Sequence, residues 1–281
     1  MGEDERETPI LSAMDRGSRM TCLRVGQQVG TVSAGLLAAV LACLLLWAAD
    51  SSVAYVAVLA LAPSPSVRHA LGSPEALVAA LALGLLAVFV MVAVFGEAAR
   101  VFGQTKVASR LAWFPLIGGL AVSGIAWTVA SYARTPSPAF DLDRAATAPD
   151  VPREVGAIAA ALATTWALLA LGLLLRAVRH ARARQRTIER LRRTGVRHRG
   201  LVTDADFRNL WVWDQPVLRL RVAYADRDVW VHVRTDPDRV PIVGSTLGVI
   251  TDDAGAIHVE LDDPAAARFE EDYGRYVAPE G

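Results

Sequence analysis

Residues 29–49, 76–96, 113–132 and 155–175 form four apolar stretches without a single Asp, Glu, Lys or Arg. At about 1.5 Å of rise per residue, roughly 20 residues cross the ~30 Å hydrocarbon core of a bilayer, so each stretch is predicted to be a transmembrane helix. A further apolar piece, residues 51–62, follows Asp50 and ends in Pro63-Ser64-Pro65. It is too short to cross again, and reads as an external extension or interfacial segment that would let the first span slide outward by a turn. Residues 173–193 stay helix-compatible, so the fourth span is expected to continue as a cytoplasmic helix.

After Gly195 the period changes from that of a helix to two. Leu218, Leu220, Val222 and Tyr224 alternate with Arg219, Arg221 and Ala223, and Val229, Val231 and Val233 alternate with Trp230, His232 and Arg234. These runs predict a hairpin through Ala225-Asp226-Arg227-Asp228. Adding 196–203, 246–250 and 257–261 gives five short strands, for which a small closed or partly open barrel leaves the fewest exposed edges. The expected fold class is therefore an α-helical membrane protein with four transmembrane helices plus a small all-β, five-stranded, barrel-like cytoplasmic domain. The divisions are an N-terminal cytoplasmic tail (1–28), the four-helix domain (29–175), an Arg-rich juxtamembrane helix (176–194), the β domain (195–262) and an acidic C-terminal tail (263–281).

Charge fixes the predicted threading. The net charge is zero, yet the basic residues are segregated. Seventeen lie in the first tail, the link between spans two and three, and the segment after span four, where ten Arg fall between Arg176 and Arg199. The two opposite loops hold Arg68, Arg134, Arg144 and Arg153. By the positive-inside rule both termini face the cytoplasm of a bacterial cell, and the protein is a multi-pass component of its inner membrane. A cleaved signal peptide fits the first span poorly, because the preceding segment is long and contains Glu3, Asp4, Glu5, Glu7 and Asp15.

Within the spans as read from sequence no ionisable residue lies near the midplane, which weighs against a transporter or proton relay. Glu97 and Arg100 read as an interfacial pair one helical turn apart. Trp47, Trp113, Trp127 and Tyr132 read as interfacial anchors, and the deeper Trp166 as a packing residue. Small residues at Gly26, Gly30, Ala34, Ala38 and Ala42 share a face, and Gly118, Gly119 and Gly124 permit close helix approach. The cysteines, Cys22 and Cys43, stand too far apart along one helix to form a disulfide.

Arg176, Arg179, Arg182, Arg186, Arg190 and Arg193 form a basic stripe after the last span. Anionic phospholipid is its expected partner, at about 1 kcal/mol per basic side chain near the surface. Nucleic acid is not expected, because no reader fold follows. Trp211 and Trp213 would share a face of a strand, as a cap on the barrel or as a contact surface for another membrane or cytoplasmic protein. His198, His232 and His258 match no metal-ligand spacing and are expected at the surface or at strand edges. No nucleophile elbow, phosphate-cradling loop or Cys-His constellation occurs, so catalysis, metal and cofactor are not expected.

Gly200-Leu201-Val202, the Pro-led strand from Pro216 ending at Tyr224, and Pro241-Ile242-Val243-Gly244-Ser245-Thr246-Leu247-Gly248-Val249 resemble the small β domain of a bacterial membrane-protein family, the one catalogued as domain of unknown function 3592. The resemblance covers residues 190–262 and departs from the usual Asp-Pro ending, having Thr251-Asp252-Asp253-Ala254-Gly255. It implies membrane attachment and a β module, with no activity. The sequence thus points to an interaction or assembly adaptor acting through the β domain. An oligomeric channel or transport accessory, and a lipid-responsive sensor, are the alternatives; a homo-oligomer is compatible with each.

Overall fold

A computed structural model describes residues 10–13, 31–58, 61, 64–134, 153–212, 215–260 and 268–279. The chain divides into two compact units, a helical one (32–99 and 107–178) and a second one built from 1–31, 100–106 and 179–281.

The helical unit contains α1 (Ala34–Val53), α2 (Pro65–Leu71), α3 (Pro74–Phe102), α4 (Thr105–Arg134) and the first part of α5 (Arg153–Thr194). All but α2 are long and apolar enough to cross a membrane. α1 starts later than expected, because Ser33 caps it by accepting a hydrogen bond from the Leu36 N–H. It also ends later, running through Val53 into a π-helical turn, Ala54–Val58. The helix formed by the first apolar stretch therefore includes Asp50, which stood just beyond the charge-free residues 29–49. Between the first two long helices lies α2, which Ser64 caps and Pro65 opens.

Contacts within this unit alternate in direction. Cys43 and Asp50 of α1 face Ala87 and Gly84 of α3, so those helices are antiparallel. Leu44, Trp47, Ser52 and Tyr55 meet Gly118, Gly119, Ser123 and Gly124 of α4 in the same order, so α1 and α4 are parallel. Gly124 meets Ala160, while Arg110 donates to the Leu173 carbonyl, making α4 and α5 antiparallel. A Cβ on Gly119 would lie 2.6 Å from Trp47 Cβ and 2.8 Å from the Ala48 nitrogen, so only glycine admits this approach. The alanine face expected on α1 is not used in the same way: Ala34, Ala38 and Ala42 are exposed. Gly26, Gly30 and Cys22 lie outside the described residues. Trp166 is 65% exposed among the described residues, where no helix covers it.

The other unit is a curled antiparallel half-barrel. Its strands are β1 (Ile10–Ala13), β2 (Val196–Val212), β3 (Gln215–Tyr224), β4 (Arg227–Arg234), β5 (Thr246–Thr251) and β6 (Ile257–Glu260), in spatial order β1-β4-β3-β2-β5-β6. Five were expected; the sixth comes from the N-terminal segment, where Ile10 to Ala13 pair with Arg234 to Val231. β1 also runs close to β6, so the two edges approach one another.

The alternation read from sequence supplies the core, with Leu218, Leu220, Val222, Val231, Val233, Val249 and Val259 buried together. The β3–β4 turn is tighter than the four-residue loop expected. Ala225 and Asp226 both take positive φ, 41° and 61°, which a two-residue hairpin with the native strand twist requires. β2 is longer than expected because register shifts at Val202/Asp204 and between Phe207 and Trp211 let it bend and continue beside β3.

Candidate functional site

The second unit builds its most elaborate polar arrangement where the end of α5 meets β5 and β6. Ala181, Gln185, Ile188 and Leu191 are buried at three- and four-residue spacing, a helical face that alanine and glutamine concealed in the sequence. Gln185 donates to the Val101 carbonyl, and the Arg182 guanidinium stacks on Phe102 at 4.8 Å. After Thr194 the chain turns directly into β2. A Cβ on Gly195 would fall 2.5 Å from Ile250 Cγ2 and 2.7 Å from the Leu191 carbonyl oxygen, so glycine permits the junction.

β6 offers its two faces to different surroundings. Val259 enters the barrel core, while His258 and Glu260, two residues apart, share the opposite face. Glu260 accepts a hydrogen bond from His258 Nε2 at 2.9 Å and an ion-paired bond from Arg192 Nε. His258 is fully buried, and the side chains of Glu260 and Arg192 are 9% and 14% exposed. Burial works against the Glu260 charge, but the hydrogen bonds from His258 and Arg192 and the Arg192 charge outweigh it and hold the carboxyl down to about 2. Burial also lowers the His258 pKa, with the charges of Arg192 and Arg184 acting the same way against the pull of Glu260. The imidazole is thus neutral, donating through Nε2 to a charged carboxylate.

Two more arginines complete this clasp. Arg184 donates to the Ile257 carbonyl at 3.0 Å, and Arg190 pairs with Asp252 at 2.7 Å. Asp252 also accepts from the Ala256 N–H, holding the β5–β6 turn.

Several residues singled out from sequence therefore have different surroundings from those expected. In the basic stripe, Arg176, Arg179, Arg186 and Arg193 are exposed, whereas Arg182 and Arg190 contact other parts of the protein. Arg184 and Arg192, outside that stripe, make the clasp together with Arg190. His258 is buried instead of lying at the surface. His198 is 3.1 Å from Thr251 Oγ1, away from His258, and no group of metal-ligating side chains is assembled among the described residues.

Trp211 caps one end of the half-barrel. Its Nε1–H donates to the Tyr276 carbonyl at 2.7 Å, and Phe207 packs edge-on against its ring and at a tilt against Tyr276. Tyr276 belongs to the core, so the C-terminal segment supplies part of the cap. Trp213 lies outside the described residues. Close in sequence to these residues, Leu210, Tyr273 and Val277 are exposed, at 54%, 51% and 50%. The outer face of the sheet is basic and aromatic, with the Arg219 guanidinium 4.2 Å from the Trp230 ring centroid and Arg221 paired with Asp228. Comparison with known proteins gave no matching family model, no matching curated protein and no matching solved structure.

Proposed function

We propose that the protein is a four-span inner-membrane adaptor with both termini in the cytoplasm, and that its half-barrel docks another protein. We take exposed Leu210, Tyr273 and Val277, which lie close in sequence to the Trp211–Tyr276 cap, as one apolar rim, and this carries the reading. The indole N–H is already bonded within the chain, so the rim, more than the Trp211 ring, is the contact surface. Exposed large apolar groups gathered beside polar surface are what a protein-docking site requires. The alternating directions of α1, α3, α4 and α5 and their outward-facing Leu, Val and Phe support the membrane reading. Exposed Arg176, Arg179, Arg186 and Arg193 would meet anionic lipid at the cytoplasmic surface. Membership of the family catalogued as domain of unknown function 3592 belongs to the same proposal, resting on the residues quoted above, and the module is non-catalytic.

Cross-linking in native membranes tests the adaptor. The intact chain should capture a distinct protein that is lost when the chain ends at Arg193 and reduced about tenfold or more by L210D, consistent with loss of a central contact. Equal capture by the intact and truncated chains would refute docking through the half-barrel.

A further inference from the structure

Among the described residues of the helical unit, Asp50 is a carboxylate turned toward a neighbouring helix. Asp50 lies in α1, three residues after Trp47, with its side chain half-buried and directed at α3. A Cβ on Gly84 would be 3.4 Å from Asp50 Oδ1, an ordinary contact distance, so the carboxyl packs against α3 at this position.

This contact sets its depth. Gly84 stands nine residues, about 13 Å, inside Glu75 at one end of α3, and thirteen residues, about 20 Å, inside Glu97 at the other. α4 gives a similar value: Ser123, bonded to Ser52 beside Asp50, stands nine residues, about 13 Å, from Tyr132. If these helices cross the bilayer, the carboxyl lies well inside the hydrocarbon, and Trp47, one turn deeper and packed at Gly119, is a packing residue instead of the interfacial anchor expected.

Among the described residues no counter-charge accompanies it. Residues 76–96 of α3, 111–131 of α4 and 155–175 of α5 contain no Asp, Glu, Lys, Arg, His, Cys or Tyr. On α1 itself the titratable neighbours are Cys43 and Tyr55, and beyond the π-helical turn α2 carries Arg68 and His69. Among the described residues neither basic group forms an ion pair with Asp50, and the Ser52–Ser123 hydroxyl pair leaves it unbonded. An ionised group so deep in a membrane is costly, and where one persists it commonly takes part in ion or proton movement.

We propose that Asp50 is a proton-binding site inside the helical bundle, at the contact of α1 with α3. A single carboxyl suits a proton better than a metal ion, which would demand several further oxygen ligands. Protonation removes the charge and converts an acceptor-only group into one that can also donate. The proposal rests on the membrane-spanning reading but not on docking by the half-barrel.

The test is carbodiimide labelling of the full-length protein in phosphatidylcholine vesicles. A lipid-soluble carbodiimide attacks protonated carboxyls in apolar surroundings, and a water-soluble one reports aqueous access. The proposal predicts that the lipid-soluble reagent modifies the Asp50 peptide, at a rate falling at least tenfold across the titration as pH rises, and that the water-soluble reagent does not. D50N should abolish the adduct and D50E retain it, while infrared difference spectra between acid and alkaline pH should lose a protonated-carboxyl band in D50N only. Absence of an adduct at every pH, or identical infrared spectra for the wild type and D50N, would overturn the proposal. Modification of Asp50 by the water-soluble reagent alone would overturn the membrane reading on which it rests.

Discussion

Glu260 and Asp50 are both carboxylates drawn away from water, and their surroundings treat them in opposite ways. Glu260 stays charged because His258 and Arg192 both donate to it, within a clasp that Arg184 and Arg190 extend. Asp50 lies against α3 at Gly84 and, among the described residues, has no donor. Burial raises the cost of charge in both places, so satisfaction by neighbours decides whether a carboxylate acts as a structural tie or as a group free to titrate. The half-barrel uses its acid to hold helix to sheet; the helical unit packs through glycine and serine and leaves its acid available.

Breaking the tie should have the largest effect. R192M leaves Glu260 buried beside a neutral imidazole, and loss of one partner from a buried pair costs about 3–5 kcal/mol. Hydrogen exchange on the detergent-solubilised chain should show amides of β6 and the end of α5 losing protection by that amount, with D50N leaving them unchanged. Acid should loosen the same region. Glu260 is lowered from 4.5 to about 2, so the unfolded state takes up its proton first and stability falls as pH drops between those values. The lowered pKa of His258 has the same sign, its contribution fading below its ordinary value of 6.5. Protection of β6 should therefore be greatest near neutral pH and decline on acidification, a decline that E260Q would flatten.

In the helical unit, the sensitive positions are spaces more than charges. G119V places branched carbon against Trp47 and the Ala48 backbone, and overpacking of this kind costs about 1–3 kcal/mol. Thermal unfolding in detergent should register it, with protection of β6 untouched. The smallest effect belongs to the cap: W211F removes the bond to the Tyr276 carbonyl, worth about 1 kcal/mol. It should loosen the C-terminal segment while leaving β3 and β4 protected.

Periodicity made much of this architecture legible, for physical reasons that also explain what it concealed. The outward Arg219 and Arg221 and inward Leu218 and Leu220 announce β3, because one face is wet and the other dry. β1 was hidden, since Ile10 to Ala13 is too short to show a period, and its pairing with β4 depends on residues more than two hundred positions away. His258 and Glu260 read as exterior positions of a lone sheet; only α5, packed over that face, buries them. Asp50 looked like the end of a span because a sequence window shows where apolar residues stop, whereas the partner helix sets depth. The arginine stripe was visible as charge, but which members turn toward lipid and which toward Asp252 or Phe102 depends on tertiary contact.

The central claim is the threading itself, on which both the cytoplasmic adaptor and the intramembrane carboxyl depend. It is tested most directly by single-cysteine labelling of spheroplasts with a membrane-impermeant maleimide, after replacing Cys22 and Cys43 by serine. S66C, in exposed α2, should react from outside, and V243C, exposed on the half-barrel, only after the membrane is permeabilised. Reaction of V243C in intact spheroplasts, or failure of S66C to react until they are opened, would contradict the account.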